Sequence, residues 1–478
     1  MTRAVVSLPS AAIDPATWRT AHERLVEHLQ ALIRIPSINP PSPAAPDGET
    51  RVARWIADYL TSLGLRPVIV EPVPGRGSVH VRLRGDGTGG APFLLLSHLD
   101  VVPASAQRWT HDPFSADIAD GYVYGRGAVD MKGMVALELG VISQLVAEAR
   151  AFGLDPARDP IPGLRRDVIF TCTADEEAGG AAGAGWLAQH EPDWLRAAGA
   201  VNECGGVSVT VAGRRLYPIQ VAEKGYAAYR IRITGTWGHG SMPREDNAAV
   251  LAARVITRLA EPGPIRLTPV MTRFLEAAAA ALPERVGSLL GRIAAGDADA
   301  DRALGAVCDP MYARALRALM RDTLSPDVVA AGVKYNVIPG EATIDLDCRV
   351  LPGTTEADMR AEVVRRIGLD LVAACAVELL LFGPPVEAPA QGELYDILVA
   401  TLRDHDPDGL PLPVMAPFAT DAKATALLGV PTYGFSPLRL DPEERFLERF
   451  HGVDERVSLE ALRFGLPVLY DVTRRFCA

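Results

Sequence analysis

The stretch DVIFTCTADEEAGG, residues 167–180, runs from an apolar segment into three consecutive acids, Asp175, Glu176 and Glu177. Packed like charges repel, and a buried carboxylate is costly unless a cation or hydrogen-bond donors offset it. Either these acids form a solvated loop or something positive sits among them. Two other apolar runs end in comparable groups: PFLLLSHLD in His98 and Asp100, and AGAVNECGG in Glu203. Asp130 lies in the Gly-flanked loop GRGAVDMKG, and His451 in RFHGVDERV near the C-terminus. Residues two apart in a strand face the same way, so His98 and Asp100 point together. Asp100 can then accept the second imidazole proton, which fixes the tautomer of a metal-ligating histidine. Taken singly, each group also suits a plainer role: a satisfied core histidine, a solvated acidic loop, a turn aspartate, a helix-capping glutamate. Their recurrence at strand ends is what points to a metal site.

The elements that must position these groups are legible in the apolar pattern. Helical periodicity over residues 17–35 is stopped by Pro36 and the turn cluster NPPSP at 39–43, and a second helix follows at about 48–63. Short apolar runs then alternate with helices. Phe93–Leu96 and Val168–Phe170 are apolar without alternation, as expected of strands covered on both faces. This predicts an α/β domain with a mostly parallel sheet, whose ligands gather at the carboxyl ends of the strands. From Lys224 the pattern changes. YAAYRIRITG alternates, NAAVLAARVITRLA is helical, and an Ala-rich helical stretch runs from about 270 to 325. KYNVIPG and EATIDLDCRVLPG read as the arms of a hairpin, followed by the helix TEADMRAEVVRRIG and the strand AVELLLFG. Without the Ala-rich stretch the order is β-α-β-β-α-β, the ferredoxin-like split unit. The reading is therefore a catalytic domain of residues 1–223 and 386–478, with an inserted domain at 224–385 that carries its own helical insertion at about 265–330.

The chain has 478 residues, a length that suits two or three domains with ample core. Its net charge of −11 and the lack of a Lys/Arg cluster argue against nucleic acid or an anionic membrane as partner. The N-terminus lacks the basic and apolar regions of a signal peptide, and no apolar run reaches membrane-spanning length. The six cysteines, at 172, 204, 308, 348, 375 and 477, form neither a CxxC pair nor a disulfide-like spacing. A reduced, cytoplasmic protein is the simplest expectation.

Seven blocks carry a family resemblance: LLLSHLDVVPA, RWTHDPFSADIADGYVYGRGAVDMKGMVA, TADEEAGG, VNECGG, GHGSMPREDNA, KYNVIPG and RFHGVDERV. In this order they resemble the di-zinc aminoacylase/carboxypeptidase family, which includes acetylornithine deacetylase and succinyl-diaminopimelate desuccinylase, and most closely its carboxypeptidase S-like branch. The resemblance implies two zinc ions, replaceable by cobalt or manganese, bridged by Asp130. One would also take His98 and Glu203, the other Glu177 and His451. Asp100 would orient His98, and Glu176 would be the general acid/base. In the inserted domain, which the resemblance makes a lid and dimerisation domain, His239 would stabilise the oxyanion across a homodimer, joined by Asn336. Arg349 would grip a substrate carboxylate, its plainer alternative being a salt pair on a solvated sheet face. Gly434 would lie in a loop touching the substrate terminus. Two positions depart from the family pattern. Cys204 follows Glu203 where relatives have glycine, and Lys423 in FATDAKATALLG stands where an arginine is usual, giving a point charge without the fork.

The implied activity is hydrolysis of an amide bond in an N-acyl amino acid or small peptide with a free carboxylate. Zinc would acidify a water, and Glu176 would take its proton and pass it to the leaving amine. The alternatives are a specialised amidohydrolase acting on a non-peptide or carbamoyl substrate, and a non-catalytic metal-binding relative. The intact set of ligand types argues against the last.

Overall fold

The computed structural model describes residues 9–40, 47–104, 108–306 and 308–478. Residues 1–8 of the N-terminus read for a signal peptide, and residues 41–43 of the NPPSP cluster, lie outside them. The chain divides into two compact units. One comprises the chain up to Val221 with Ala388–Pro413 and Thr420–Ala478; the other comprises Ala222–Glu387 with Val414–Ala419.

The first unit is built on a sheet in which four central strands run parallel: Val168–Thr173, Phe93–His98, Gly199–Asn202 and Thr432–Gly434. Antiparallel strands flank them, Ser78–Leu83 and Val68–Val70 on one side and Arg214–Glu223 on the other. Phe93–Leu96 and Val168–Phe170 are fully buried, as their unbroken apolar runs predict. Each such side chain contributes about 2 kcal/mol of burial. The helix Pro15–Ile33 begins at Asp14, whose carboxylate accepts from the Ala16 amide at 2.8 Å, with Pro15 in the first turn, where its missing N–H costs nothing. Its far end is closed from another element: the buried Lys132 ammonium donates to the Leu32 and Ile35 carbonyls at 3.0 and 2.8 Å. Lys132 opens the helix Lys132–Ala151, which is buried on nearly every side.

The second unit contains a four-stranded antiparallel sheet ordered Thr323–Ala331, Glu341–Val350, Gly225–Thr234, Cys375–Gly383. One face packs on the helices Ala248–Leu259 and Glu356–Ile367, burying Ile231, Ile344, Leu346, Val255 and Val363. This is the β-α-β-β-α-β order, with four α-helices among the described residues between Pro269 and Leu319 forming the insertion.

One expectation is corrected. The segment around NVIP does not form a hairpin with EATIDLDCRV. Val337 and Ile338 pair with His239 and Gly238, and the strand Thr323–Ala331 takes the expected place beside Glu341–Val350. That strand falls partly inside the stretch read as helical to 325. It hid because Pro326 sits within it beside a bulge, a combination tolerated on an edge strand but unlike a strand in sequence.

Candidate metal centre

The parallel register sets His98 opposite Thr173 and Leu95 opposite Val201, so the three strands end along one edge of the sheet. The residues that follow them are therefore neighbours: Asp100, the turn Asp175–Glu177, and Glu203. Asp175 adopts a left-handed conformation, φ +67°, from which a short 3₁₀ turn carries Glu176 and Glu177. Asp100 holds this turn. Its fully buried carboxylate accepts from the amides of Glu176 at 3.1 Å and Glu177 at 2.9 Å, and from Asn39 Nδ2 at 2.7 Å.

His98 is buried, with Nε2 3.0 Å from Asp130 Oδ1 and 3.6 Å from Glu203 Oε2. Its Nδ1 lies 3.1 Å from the Asp100 carbonyl oxygen and 3.4 Å from the Asp100 carboxylate, so main chain and side chain share the orienting role. The second Asp130 oxygen, Oδ2, lies 3.2 Å from His451 Nε2, which is also 3.2 Å from Glu177 Oε2. Asp130 thus presents one oxygen to each of two imidazoles. Glu177 Oε1 is buried with no hydrogen-bond partner.

The electrostatics show strain that a cation would relieve. Burial, then Glu203, raises the Glu176 carboxyl well above the ordinary range. Burial raises Glu203 to about 7. Burial lowers the His98 imidazole, but Glu203, Asp100 and Asp130 outweigh it and lift it well above its usual value. Hydrogen bonds to Asp130 and Glu177 raise His451 to about 10. The only cationic side chain within ion-pair distance of Glu176 among the described residues is Lys423, at 3.6 Å. Imidazoles facing two or three carboxylates each, with an orphaned oxygen on one of those carboxylates, form a donor set suited to divalent cations. The ligand atoms of His98, Asp130 and Glu177 lie within 4.8 Å of one another, as do those of His98, Glu176 and Glu203. Glu176 therefore stands as near to the His98–Glu203 pair as a ligand would.

Beneath the turn is a layer that sequence reading missed. Arg76, 8% exposed, donates to Glu49 Oε1 and to Asn39 Oδ1 at 2.7 Å and lies 3.8 Å from Asp175. Glu49 Oε1 accepts the Asp175 amide at 3.2 Å. Glu455, inside the RFHGVDERV block but given no role, accepts the amides of Gly127, Val129 and Asp130 at 3.0, 2.8 and 3.1 Å. The signal for it was available: a Gly-flanked loop offers several amides at once and needs an acceptor.

Gly434 ends a buried strand rather than lying in a loop, and a Cβ there would come within 2.5 Å of the Glu203 carbonyl oxygen. Cys204 takes the left-handed conformation, φ +78°, that glycine fits best, and its thiol donates to Glu203 Oε2 at 3.4 Å. In the second unit, His239 is exposed, with Nδ1 2.8 Å from Ser241 Oγ. The Gly240 amide donates to the Asn336 carbonyl at 2.9 Å, and Asn336 Oδ1 is buried without a partner. Arg349 donates through Nε and Nη2 to Asp347 at 2.9 and 3.0 Å, an ion pair on the half-exposed face of its sheet.

Residues 94–475 match the family model described as peptidase family M20/M25/M40. The chain is 28% identical over 393 residues to probable carboxypeptidase S-like 2 of Dictyostelium discoideum, covering 77% of this chain and 68% of that one. It is 27% identical over 404 residues to the human N-fatty-acyl-amino acid synthase/hydrolase PM20D1, covering 82% and 75%. The fold resembles that of an M20 family metallo-carboxypeptidase from Sulfolobus solfataricus, with a TM-score of 0.68 at 16% identity over 95% of this chain and 99% of that one. With four-fifths of its length matched by the family model and its strand ends converging on a carboxylate–imidazole cluster, this chain belongs to peptidase family M20/M25/M40.

Proposed function

We propose that the protein hydrolyses the amide bond of an N-acyl amino acid or small peptide bearing a free carboxylate, using two zinc ions. Membership of its family makes it a metallo-hydrolase. The observation that carries the reading is Asp130, with one carboxylate oxygen 3.0 Å from His98 and the other 3.2 Å from His451. On this reading His98, Asp130 and Glu203 hold one cation, and Asp130, Glu177 and His451 the other. When bound, such cations polarise a carbonyl and acidify water.

The chain's own groups do the rest. Glu176 accepts a proton at its carboxylate and returns it to the leaving amine, a role suited to a carboxyl whose affinity for protons burial has raised. Lys423, 3.6 Å away, balances its charge in the ionised state. Asp100 orients both His98 and the Glu176–Glu177 turn. Arg349 grips the substrate carboxylate in place of Asp347, since a guanidinium fork matches either partner. His239 and Asn336 stabilise the oxyanion within a homodimer, and the exposure of His239 supports a role completed by another surface. The relative named for fatty-acyl amino acids supports the N-acyl side of the substrate range. Six cysteines without a disulfide fit a cytoplasmic setting.

The test is a hydrolysis panel of short and long N-acyl amino acids and dipeptides, each with a free and an amidated carboxylate. Turnover confined to free carboxylates is expected. Equal turnover of the amidated compounds would remove the role given to Arg349. No turnover of any compound by the two-metal protein would contradict the assigned reaction.

A further inference from the structure

Glu455 is fully buried, and both of its carboxylate oxygens are committed. Oε1 accepts three main-chain N–H groups of a single loop: Gly127, Val129 and Asp130. Oε2 accepts from Arg126 Nη1 at 2.6 Å. Arg126, 3% exposed, donates through Nη2 to the His451 carbonyl at 3.3 Å and the Pro103 carbonyl at 3.4 Å, and its guanidinium lies 5.3 Å from the Trp109 ring centre. The main chain adds a further tie, the Gly125 amide donating to the Glu455 carbonyl at 2.9 Å. One buried carboxylate therefore holds the main chain of Asp130 directly and that of His451 through a single arginine.

We propose that Glu455 is a positioning residue that sets cation affinity at the position shared by Asp130, His451 and Glu177. The inference rests on the two-metal reading above. His98 ends one central sheet strand and Glu203 directly follows another, so the sheet itself places them. Asp130 and His451 sit on loops with no such support. His451 is itself at φ +56°, a conformation uncommon for a non-glycine residue. Groups behind a ligand typically change metal affinity by about 10–100-fold when removed. Here the larger effect should fall on one of the two positions, because Glu455 and Arg126 touch both loops of that position and only the shared Asp130 loop of the other.

The experiment is stepwise calorimetric titration of Zn²⁺ into chelator-stripped wild type, Glu455→Gln, Arg126→Gln and His451→Ala. The step missing from His451→Ala identifies the position concerned. Glu455→Gln keeps the side-chain size but loses the charge that holds Arg126. It should weaken that step about 10–100-fold and leave the other within about threefold. Arg126→Gln leaves the three amide contacts in place and should weaken the same step less, by about tenfold. It carries the test alone if Glu455→Gln does not fold. Unchanged steps in the folded variants, or both steps weakened alike, overturn the proposal. A wild type that takes up fewer than two ions overturns the two-metal reading itself, so the two failures are distinguishable.

Discussion

Glu138 offers a stability test that does not depend on turnover. It projects from the helix Lys132–Ala151 with no solvent exposure; Ser97 Oγ donates to its Oε2, and its Oε1 has no partner. Burial raises its carboxyl to about 8, only partly opposed by the Ser97 hydrogen bond. The folded protein therefore holds this proton through neutral pH, whereas the unfolded chain releases it near the reference value of 4.5. Between these values the unfolded state binds fewer protons, so wild-type stability falls as pH rises, by up to about 1.4 kcal/mol per pH unit. Below 4.5 both states are protonated, and above about 8 both are ionised, so the loss is complete. Glu138→Gln keeps the shape and a partner for Ser97 but cannot ionise. The variant should match wild type within about 1 kcal/mol at pH 5 and exceed it by about 2–4 kcal/mol at pH 8. Urea unfolding of the two chelator-treated proteins at several pH values measures this, with terms common to both cancelling in the difference. Parallel stability profiles from pH 5 to pH 8 would refute the reasoning, because they would mean Glu138 is ionised and compensated in the native state.

Two further perturbations probe the support of the site. Arg76→Met removes the cation between Glu49, Asn39 and Asp175. Breaking a buried pair in this way costs about 3–5 kcal/mol, so melting should fall by about 5 °C or more. A melting temperature within about 1 °C of wild type would count against the network. Gly434→Ala places a methyl 2.5 Å from the Glu203 carbonyl oxygen and 2.7 Å from Gln220 Cβ, a clash that displaces Glu203. The expected outcome is a loss of about 1–3 kcal/mol together with weaker uptake of one metal ion. Unchanged metal affinity would show that the strand absorbs the methyl elsewhere.

What the sequence made legible was the chemistry attached to regular structure. His98, Asp100, Glu176, Glu177 and Glu203 each follow an apolar run, and the parallel register then gathers them along one edge. The supporting layer was illegible for a physical reason. Arg76 finds Asn39 and Glu49 through three-dimensional packing, and Glu455 reaches across more than 320 positions to its amides, so neither contact leaves a local period or spacing. Asn39 read only as part of a turn that stops a helix. In the second unit, alternation in YAAYRIRITG and EATIDLDCRV identified the two central strands because one face of each is buried. Thr323–Ala331 is mostly exposed and interrupted by Pro326, and its pairing could not be read from alternation.

The division of labour between Glu176 and Glu177 is the central claim, and the structure places both within reach of the same imidazole–carboxylate cluster. Metal content and turnover measured together on Glu176→Ala and Glu177→Ala test it most directly. Glu176→Ala is predicted to retain two metal ions and lose turnover by a factor of about 10²–10⁴, the usual contribution of a general acid/base, while Glu177→Ala loses one ion. A Glu176→Ala protein that loses a metal ion, or that turns over at close to the wild-type rate, would contradict the account.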